Sequence, residues 1–236
     1  AASDVYKRQL RIQAAAVGDA TAVVTAKEPS KPISPTTTDK IATVPGVTSV
    51  EQTRNVLLQR TDNGQAALVN SHLIPTDPHL VTGRAPAKLD EVAVNQSTAD
   101  NNAAIGSKIT VNDPSRDGAK SITLTVVGVL DPNSRTTTTP TSPEVYLSAV
   151  SLASISGHRG ANTVYVNSDR PAAQIVREVS KVVGTTATVR TADDERAHQA
   201  DQASQGFAAM TAFMTAFTVI ALAVAAMVIV CLLYTS

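Results

Sequence analysis

The sequence predicts an α+β extracytoplasmic domain of mixed sheets, with βαβ-type elements and a β-rich insertion. A stalk helix continuous with one transmembrane α-helix is expected to follow it. Three observations lead there. Every charged residue lies at or before Asp201, so the chain from Gln202 to Ser236 is charge-free. Before that point, short runs rich in Val, Ile and Thr alternate with helical patterns punctuated by Pro and Gly. Finally, a 3-4 spacing of apolar positions crosses from the polar into the apolar part without a Pro.

The elements follow in order. Ala20–Ala26 has the β-branched density of a strand. After Pro29, Pro32 and Pro35, Thr36 or Thr37 is expected to cap a short helix over Asp39–Val44, ended by Pro45-Gly46. Val47–Thr53 completes a strand–helix–strand unit of βαβ type. Val56–Arg60 and Ala66–Asn70 flank a turn containing Asn63-Gly64, a hairpin signal because Asn-Gly tolerates positive φ. His72 to Pro86, with three prolines, reads as a loop. Glu91–Asn95 is a strand, Ser97–Ala104 a short helix ending at Gly106, and Lys108–Asn112 and Ser121–Leu130 are strands joined by a polar turn. Arg135–Ser142 is a low-complexity loop, and Glu144–Leu147 and Asn162–Asn167 are further strands. Arg170–Val183 is the clearest helix. Ser168 or Asp169 is its expected cap, Ile175, Val176, Val179, Val182 and Val183 lie on one face, and Gly184 stops it. Thr186–Arg190 is the last strand.

Thr191 is placed to cap the next helix, with Asp193, Asp194 and Glu195 in a first turn where acids suit the dipole. The apolar residues Ala203, Phe207, Met210, Met214, Phe217, Ala221 and Val224 then continue one helical face. Phe207–Tyr234 is long enough, at about 1.5 Å per residue, to cross the roughly 30 Å hydrocarbon layer. Thr211, Thr215 and Thr218 can bond back to the i−4 carbonyl. Ala208, Ala212 and Ala216 form a small-residue face that another helix could approach. The flank Asp193–Asp201 holds four acids and one Arg, whereas cytoplasmic flanks are rich in Lys and Arg, so the polar domain is expected outside the cytoplasm.

Composition excludes several classes. Twenty basic residues balance twenty acidic ones, and there is no basic run or aromatic platform for nucleic acid. All three Phe and all three Met fall in the apolar block, and there is no Trp. One Cys, Cys231, excludes a disulfide scaffold and a zinc ribbon. His72, Asp77 and His79 share a Pro-rich loop but match no standard metal spacing. Ser156-Gly157-His158 lacks a nucleophile elbow, and there is no G-x-x-x-x-G-K-[ST], so ATP hydrolysis is not expected of this chain. Asp113–Gly118 is too short for an EF-hand, and Asn95-Gln96-Ser97 fits a glycosylation sequon. No catalytic residue, cofactor-binding residue or metal ligand is assigned.

Four stretches, taken in order, resemble the extracytoplasmic core domain of MacB/FtsX-type ABC transporter permeases. Ile41–Val50, with its central Pro45-Gly46, resembles the family's helix, Pro-Gly, strand. Val81-Thr82-Gly83-Arg84-Ala85-Pro86 followed by Asp90-Glu91-Val92-Ala93-Val94 resembles its "GR.P...DEV.V" segment. Ile105–Val111 and Leu124–Leu130 resemble its "iG..i.v" and "f.VvGv" strands. The segment between Val94 and Ile105 departs, being short and Asn-rich where members often carry a longer apolar helix. Gly83 and Gly106 stand at turns where a side chain would be costly, and these stretches read as scaffold.

The resemblance implies a non-catalytic permease fragment in the cell membrane. Its implied partners are a cytoplasmic ABC ATPase subunit, a second permease copy in a homo- or heterodimer, and membrane lipid, with no cofactor and no nucleic acid. The expected organisation is a core domain over 10–190, a stalk over 191–206 and a transmembrane helix over 207–230. Residues 1–9 and 231–236 resemble translated sequencing-adapter sequence. Candidate packing and transmission residues are Gly206, Phe207, Ala208, Met210, Ala212, Met214, Ala216 and Phe217, with Gly206 the candidate hinge. A single-pass, membrane-anchored binding or adhesion domain is the alternative. An anchored hydrolase would need a nucleophile and base in contact.

Overall fold

The computed structural model describes residues 17–28, 30–61, 66–76, 78–116, 118, 120–131, 142–201, 213–218 and 220–221. The chain divides into two compact units, 1–195 and 196–236. The first unit contains two sheets.

The smaller sheet is made by β1 (Ala22–Ala26), β2 (Val47–Thr53), β10 (Thr163–Ser168) and β11 (Ala187–Thr191), in the order β11-β1-β10-β2. Strands β1 and β2 both run antiparallel to β10, and are therefore parallel to each other with β10 between them. Likewise β10 and β11 are parallel with β1 between them. The strand–helix–strand unit expected from the sequence thus exists, but each such unit is split by a strand of the other. This interlocked pair of split βαβ units is the ferredoxin-like arrangement.

Helices α1 (Pro35–Ala42) and α4 (Ala172–Val183) cover one face of this sheet. Ile41, Val44, Ile175, Val179 and Val183 pack there on Ala22, Val24, Val164, Val166 and Ala187. α1 begins earlier than expected. Ser34 is its cap, accepting the Thr37 N–H at 3.1 Å, and Pro35 presets φ in the first turn. α4 has no side-chain cap. The Ser168 hydroxyl, one of the expected caps, instead donates to the Gly46 carbonyl at 2.6 Å and accepts the Arg170 N–H at 3.0 Å.

Between β2 and β10 the chain makes the β-rich insertion. It contains β3 (Asn55–Arg60), β4 (Ala67–Leu73), β5 (Leu80–Gly83), β6 (Glu91–Asn95), β7 (Lys108–Asn112), β8 (Ile122–Leu130) and β9 (Glu144–Leu147). Their order is β5-β8-β6-β9-β4-β3-β7, and β7 also pairs with β8, so the sheet closes on itself with β5 appended to β8. β4–β9 and β6–β8 are parallel and the other pairs antiparallel. The interior is a packed core that includes Leu58, Val92, Val94, Ile109, Leu124, Val126, Val145 and Leu147. Closure leaves few strand edges open to pairing.

Several expectations are corrected here. The loop expected over 72–86 is partly strand, because His72 lies in β4 opposite Tyr146 of β9 and residues 80–83 form β5. The helix expected over Ser97–Ala104 is only α2 (Gln96–Asp100), since Asn102 adopts φ 61. A further helix, α3 (Ala149–Ser156), is absent from the sequence-based expectation. Its cap Ser148 accepts the Ser151 N–H at 3.2 Å and Gly157 ends it at φ 74.

The chain crosses between the two sheets twice, at 53–55 and at 156–163, and Arg54 ties the crossings together. Its Nη2 donates to Ser156 Oγ at 2.8 Å and its Nη1 to the His158 carbonyl, while the Asn162 N–H donates to the Thr53 carbonyl at 2.9 Å.

Gly83 and Gly128 meet where the chain after β5 lies against β8. A Cβ on Gly83, at φ +82, would strike the Val127 carbonyl, and one on Gly128 would strike the Arg84 carbonyl. Gly106 has φ +87 but open space around it. Gly83→Ala is expected to cost about 3 kcal/mol and Gly106→Ala about 1 kcal/mol, read from urea unfolding midpoints.

Candidate functional site at the root of the exit helix

The face of the small sheet opposite α1 and α4 carries the place where the chain leaves the domain. In-register pairing sets Arg190, Val23, Tyr165 and Glu51 in one row across all four strands. Val17, Ala20 and Ala192 pack onto Val23 and Tyr165, so the segments before β1 and after β11 lie on the same face. From 192 the backbone is helical to 201.

Polar contacts fix the start of that helix. As the sequence suggests, Thr191 caps it, its Oγ1 accepting the Asp194 N–H at 3.1 Å. Arg190 Nη1 donates to Glu195 Oε2 at 2.9 Å, and Glu195 is buried. Burial pushes the Tyr165 phenol up, and the carboxylates of Glu195 and Glu51 push it the same way. A half-buried ion pair backed by apolar packing holds a helix direction more firmly than either alone. Among the described residues the site offers attachment, with no nucleophile and base in contact.

The other candidates resolve as structural. His72 is buried, stacks on Tyr146 with ring centroids 5.2 Å apart, and shares a hydrogen bond from Nδ1 to Asn55 Oδ1 at 2.8 Å. Burial pulls its pKa down, opposed by the carboxylate of Glu144. His79 lies just before β5, where its carbonyl accepts the Asp131 N–H, and Asp77 lies outside the described residues. Among the described residues no cluster of three or more His, Cys, Asp and Glu could hold a metal. The Ser156 hydroxyl is engaged by Arg54 and by the Leu152 carbonyl. Asn95 of the sequon is buried, capping α2 through Thr98 and bonding the Ser142 carbonyl at 2.7 Å.

Of the transmission candidates, Met214, Ala216 and Phe217 lie on a helical stretch, 213–218, with exposed side chains. Thr218 Oγ1 donates to the Met214 carbonyl at 2.8 Å, the back-bond expected of it. Gly206, Phe207, Ala208, Met210 and Ala212 lie outside the described residues, as do 1–9, 231–236 and most of 207–230. Among the described residues no helix is long and apolar enough to cross a membrane.

Residues 5–207 match the family model of the MacB-like periplasmic core domain. The chain belongs to that family. It is thus an extracytoplasmic domain of the ABC transporter permease class, a family of transporter components. No curated protein matches it in sequence. Solved structures that share the fold include two extracytoplasmic transporter domains. The extracellular domain of the noncanonic ABC-type transporter YknZ from Gram-positive bacteria is 14% identical, with TM-score 0.52, over 72% of this chain and 98% of that one. The periplasmic region of MacB from Actinobacillus actinomycetemcomitans is 12% identical, with TM-score 0.52, over 76% of this chain and 92% of that one.

The segment Gly83–Val94 that carries part of the resemblance acquires a physical reason here. Arg84 grips the Glu91 carboxylate with both Nη atoms, at 2.7 and 2.5 Å, and the Ala87 and Lys88 N–H groups donate to Glu91 Oε2 at 2.9 and 3.1 Å. The pairing closes the loop between β5 and β6, and nothing in the spacing of the two residues announces it. Arg84 above all, then the Ala87 N–H, holds the Glu91 carboxyl down at about 2, below its ordinary 4.5. A carboxyl with a lowered folded-state pKa stabilises the fold above its unfolded value and ceases to as pH falls through the folded one. The stability difference between the domain and Glu91→Gln is therefore expected to be full above about pH 5 and to vanish towards pH 2, followed by urea unfolding across that range.

Proposed function

We propose that this MacB-like domain is the outer part of a permease subunit that turns ATP hydrolysis on a cytoplasmic partner into movement outside the membrane, for export or envelope regulation. The observation that carries the reading is where the family match stops. It ends at 207, the first residue of the charge-free apolar run, and the helix rooted at Thr191 leads towards that run. A charge-free stretch of that length suits a membrane span.

In this reading residues 10–200 lie outside the cytoplasm, 191–206 form the stalk and 207–230 span the bilayer against lipid. The ATPase belongs to a separate cytoplasmic subunit, and a second permease copy completes a dimer. The chain's own residues perform no bond chemistry. The Arg190–Glu195 pair and the packing of Ala192 on Val23 give the stalk a rigid root, so helix displacement is passed to the small sheet. Bending a continuously hydrogen-bonded helix is costly, which makes it a lever, and Gly206 is the place for a hinge. Ala208, Ala212 and Ala216 offer the small-residue face for a neighbouring helix.

Two experiments test this. With Cys231 replaced by Ser, a cysteine at exposed Asp39 is expected to react with a membrane-impermeant maleimide in intact cells, and protection until lysis would contradict the orientation. In the intact permease, Gly206→Ala is expected to lower transport by about tenfold while outer-domain folding, read by circular dichroism, is unchanged. Unchanged transport would remove the hinge from the mechanism.

A further inference from the structure

The junction between the two sheets contains a cleft of about 470 Å³ with mostly polar residues in its wall, a volume in the range of small-ligand sites. Val56 is the one apolar residue in its lining. The turn after β7, the crossing at 54–56, the end of α3 and the segment before β10 all contribute to its wall.

Arg54 is the unusual member. It is 5% exposed, and no carboxylate among the described residues lies within ion-pair distance of its guanidinium. An arginine carries five N–H donors, and the bonds to Ser156 Oγ and the His158 carbonyl use two of them. A buried cation without a contacting anion is costly. Asp113, which lines the same cleft, acts on Arg54 through its charge alone, and its Oδ1 accepts both the Ser115 N–H at 2.9 Å and the Ser115 hydroxyl at 2.6 Å. A second guanidinium, Arg116, stands at the same cleft, exposed and bonded to the Ile155 carbonyl through Nη1 at 2.8 Å. Ser30, Ser115 and Ser156 also line it, the hydroxyls of the last two already donating to Asp113 Oδ1 and to the Leu152 carbonyl.

Two guanidiniums with N–H groups to spare, beside a single carboxylate whose Oδ1 is already bonded, make a donor set that suits an oxyanion. We propose that the cleft binds a small organic anion through its carboxylate or phosphate group, seated between Arg54 and Arg116. The anion supplies a contacting counter-charge, where the Asp113 carboxylate acts on Arg54 only from beyond ion-pair distance. Because the cleft lies on both crossings of the chain, its occupant also braces the insertion against the small sheet. This site is separate from the root of the exit helix and does not depend on the transport reading.

The test is isothermal titration of the full 236-residue chain in detergent micelles with two probes, inorganic phosphate and N-acetylglycine, at matched ionic strength. Wild type is expected to bind at least one probe with Kd near or below about 1 mM, and Arg116→Gln to weaken it about tenfold or more. Arg159→Gln, which removes the same charge at an exposed position outside the lining, is expected to bind as wild type does. Binding of phosphate alone identifies a phosphate ligand, of N-acetylglycine alone a carboxylate, and of both a general oxyanion site. Arg116→Lys, expected to be weakened through loss of the planar fork, replaces Arg116→Gln if circular dichroism shows that variant unfolded. The proposal is overturned if neither probe binds, if the Arg116 variant that folds binds as well as wild type, or if Arg159→Gln loses as much as Arg116→Gln.

Discussion

Thr53 and Thr163 are register partners on adjacent antiparallel strands, and everything between them is the insertion. The chain leaves the small sheet and returns to it at one point, so the closed barrel is attached by two neighbouring crossings. Arg54, the first residue beyond β2, spans both. Its guanidinium reaches Ser156 and the His158 carbonyl, and its own carbonyl accepts the Leu73 N–H of β4 at 2.9 Å. An arginine can do this because a rigid planar fork serves several acceptors from one buried position. The same two crossings are also joined by the Asn162 N–H to the Thr53 carbonyl, by Asn162 Nδ2 to the Asn55 carbonyl at 3.3 Å and by Thr53 Oγ1 to the Thr163 carbonyl at 3.4 Å.

The small sheet is used on both faces for different purposes. Even positions of β1, Ala22 and Val24, face α1 and α4 and build the core. Val23 faces the other way and receives Val17 and Ala192. The two-residue period of a strand makes this division automatic. The helical face supplies stability, and the opposite face is left to hold the entering and leaving segments.

The barrel shows a related economy in β8. This nine-residue strand pairs with β7 along its first half and with β5 along its second on one side, and with β6 on the other. One strand therefore closes the ring and also carries an extra strand. Gly128 permits the close approach of the Arg84 backbone there, and the Arg84–Glu91 clamp then turns the chain into β6. The family resemblance of the segment Gly83–Val94 thus has a basis in local geometry.

Much of this was legible from residues taken alone. The strands around Val92/Val94 and Ile109/Val111, the helix carrying Ile175, Val179 and Val183, the stop at Gly184 and the cap at Thr191 follow from periodicity and from side chains that act within four residues of themselves. So does the break in charge after Asp201, a covalent fact that folding does not alter. What the linear order could not reveal is anything decided by partners far along the chain. β10 slips between β1 and β2 although it lies more than a hundred residues away. His72 becomes a strand residue because Tyr146 lies beside it, against the signal of the neighbouring prolines. Arg54 and Arg116, unremarkable between strands and in a turn, are brought to one cleft only when the two crossings meet. Local patterns encode elements because their energetics are short-range. The cleft and the cross-tie depend on burial and on long-range pairing, and these exist only once the two sheets have formed.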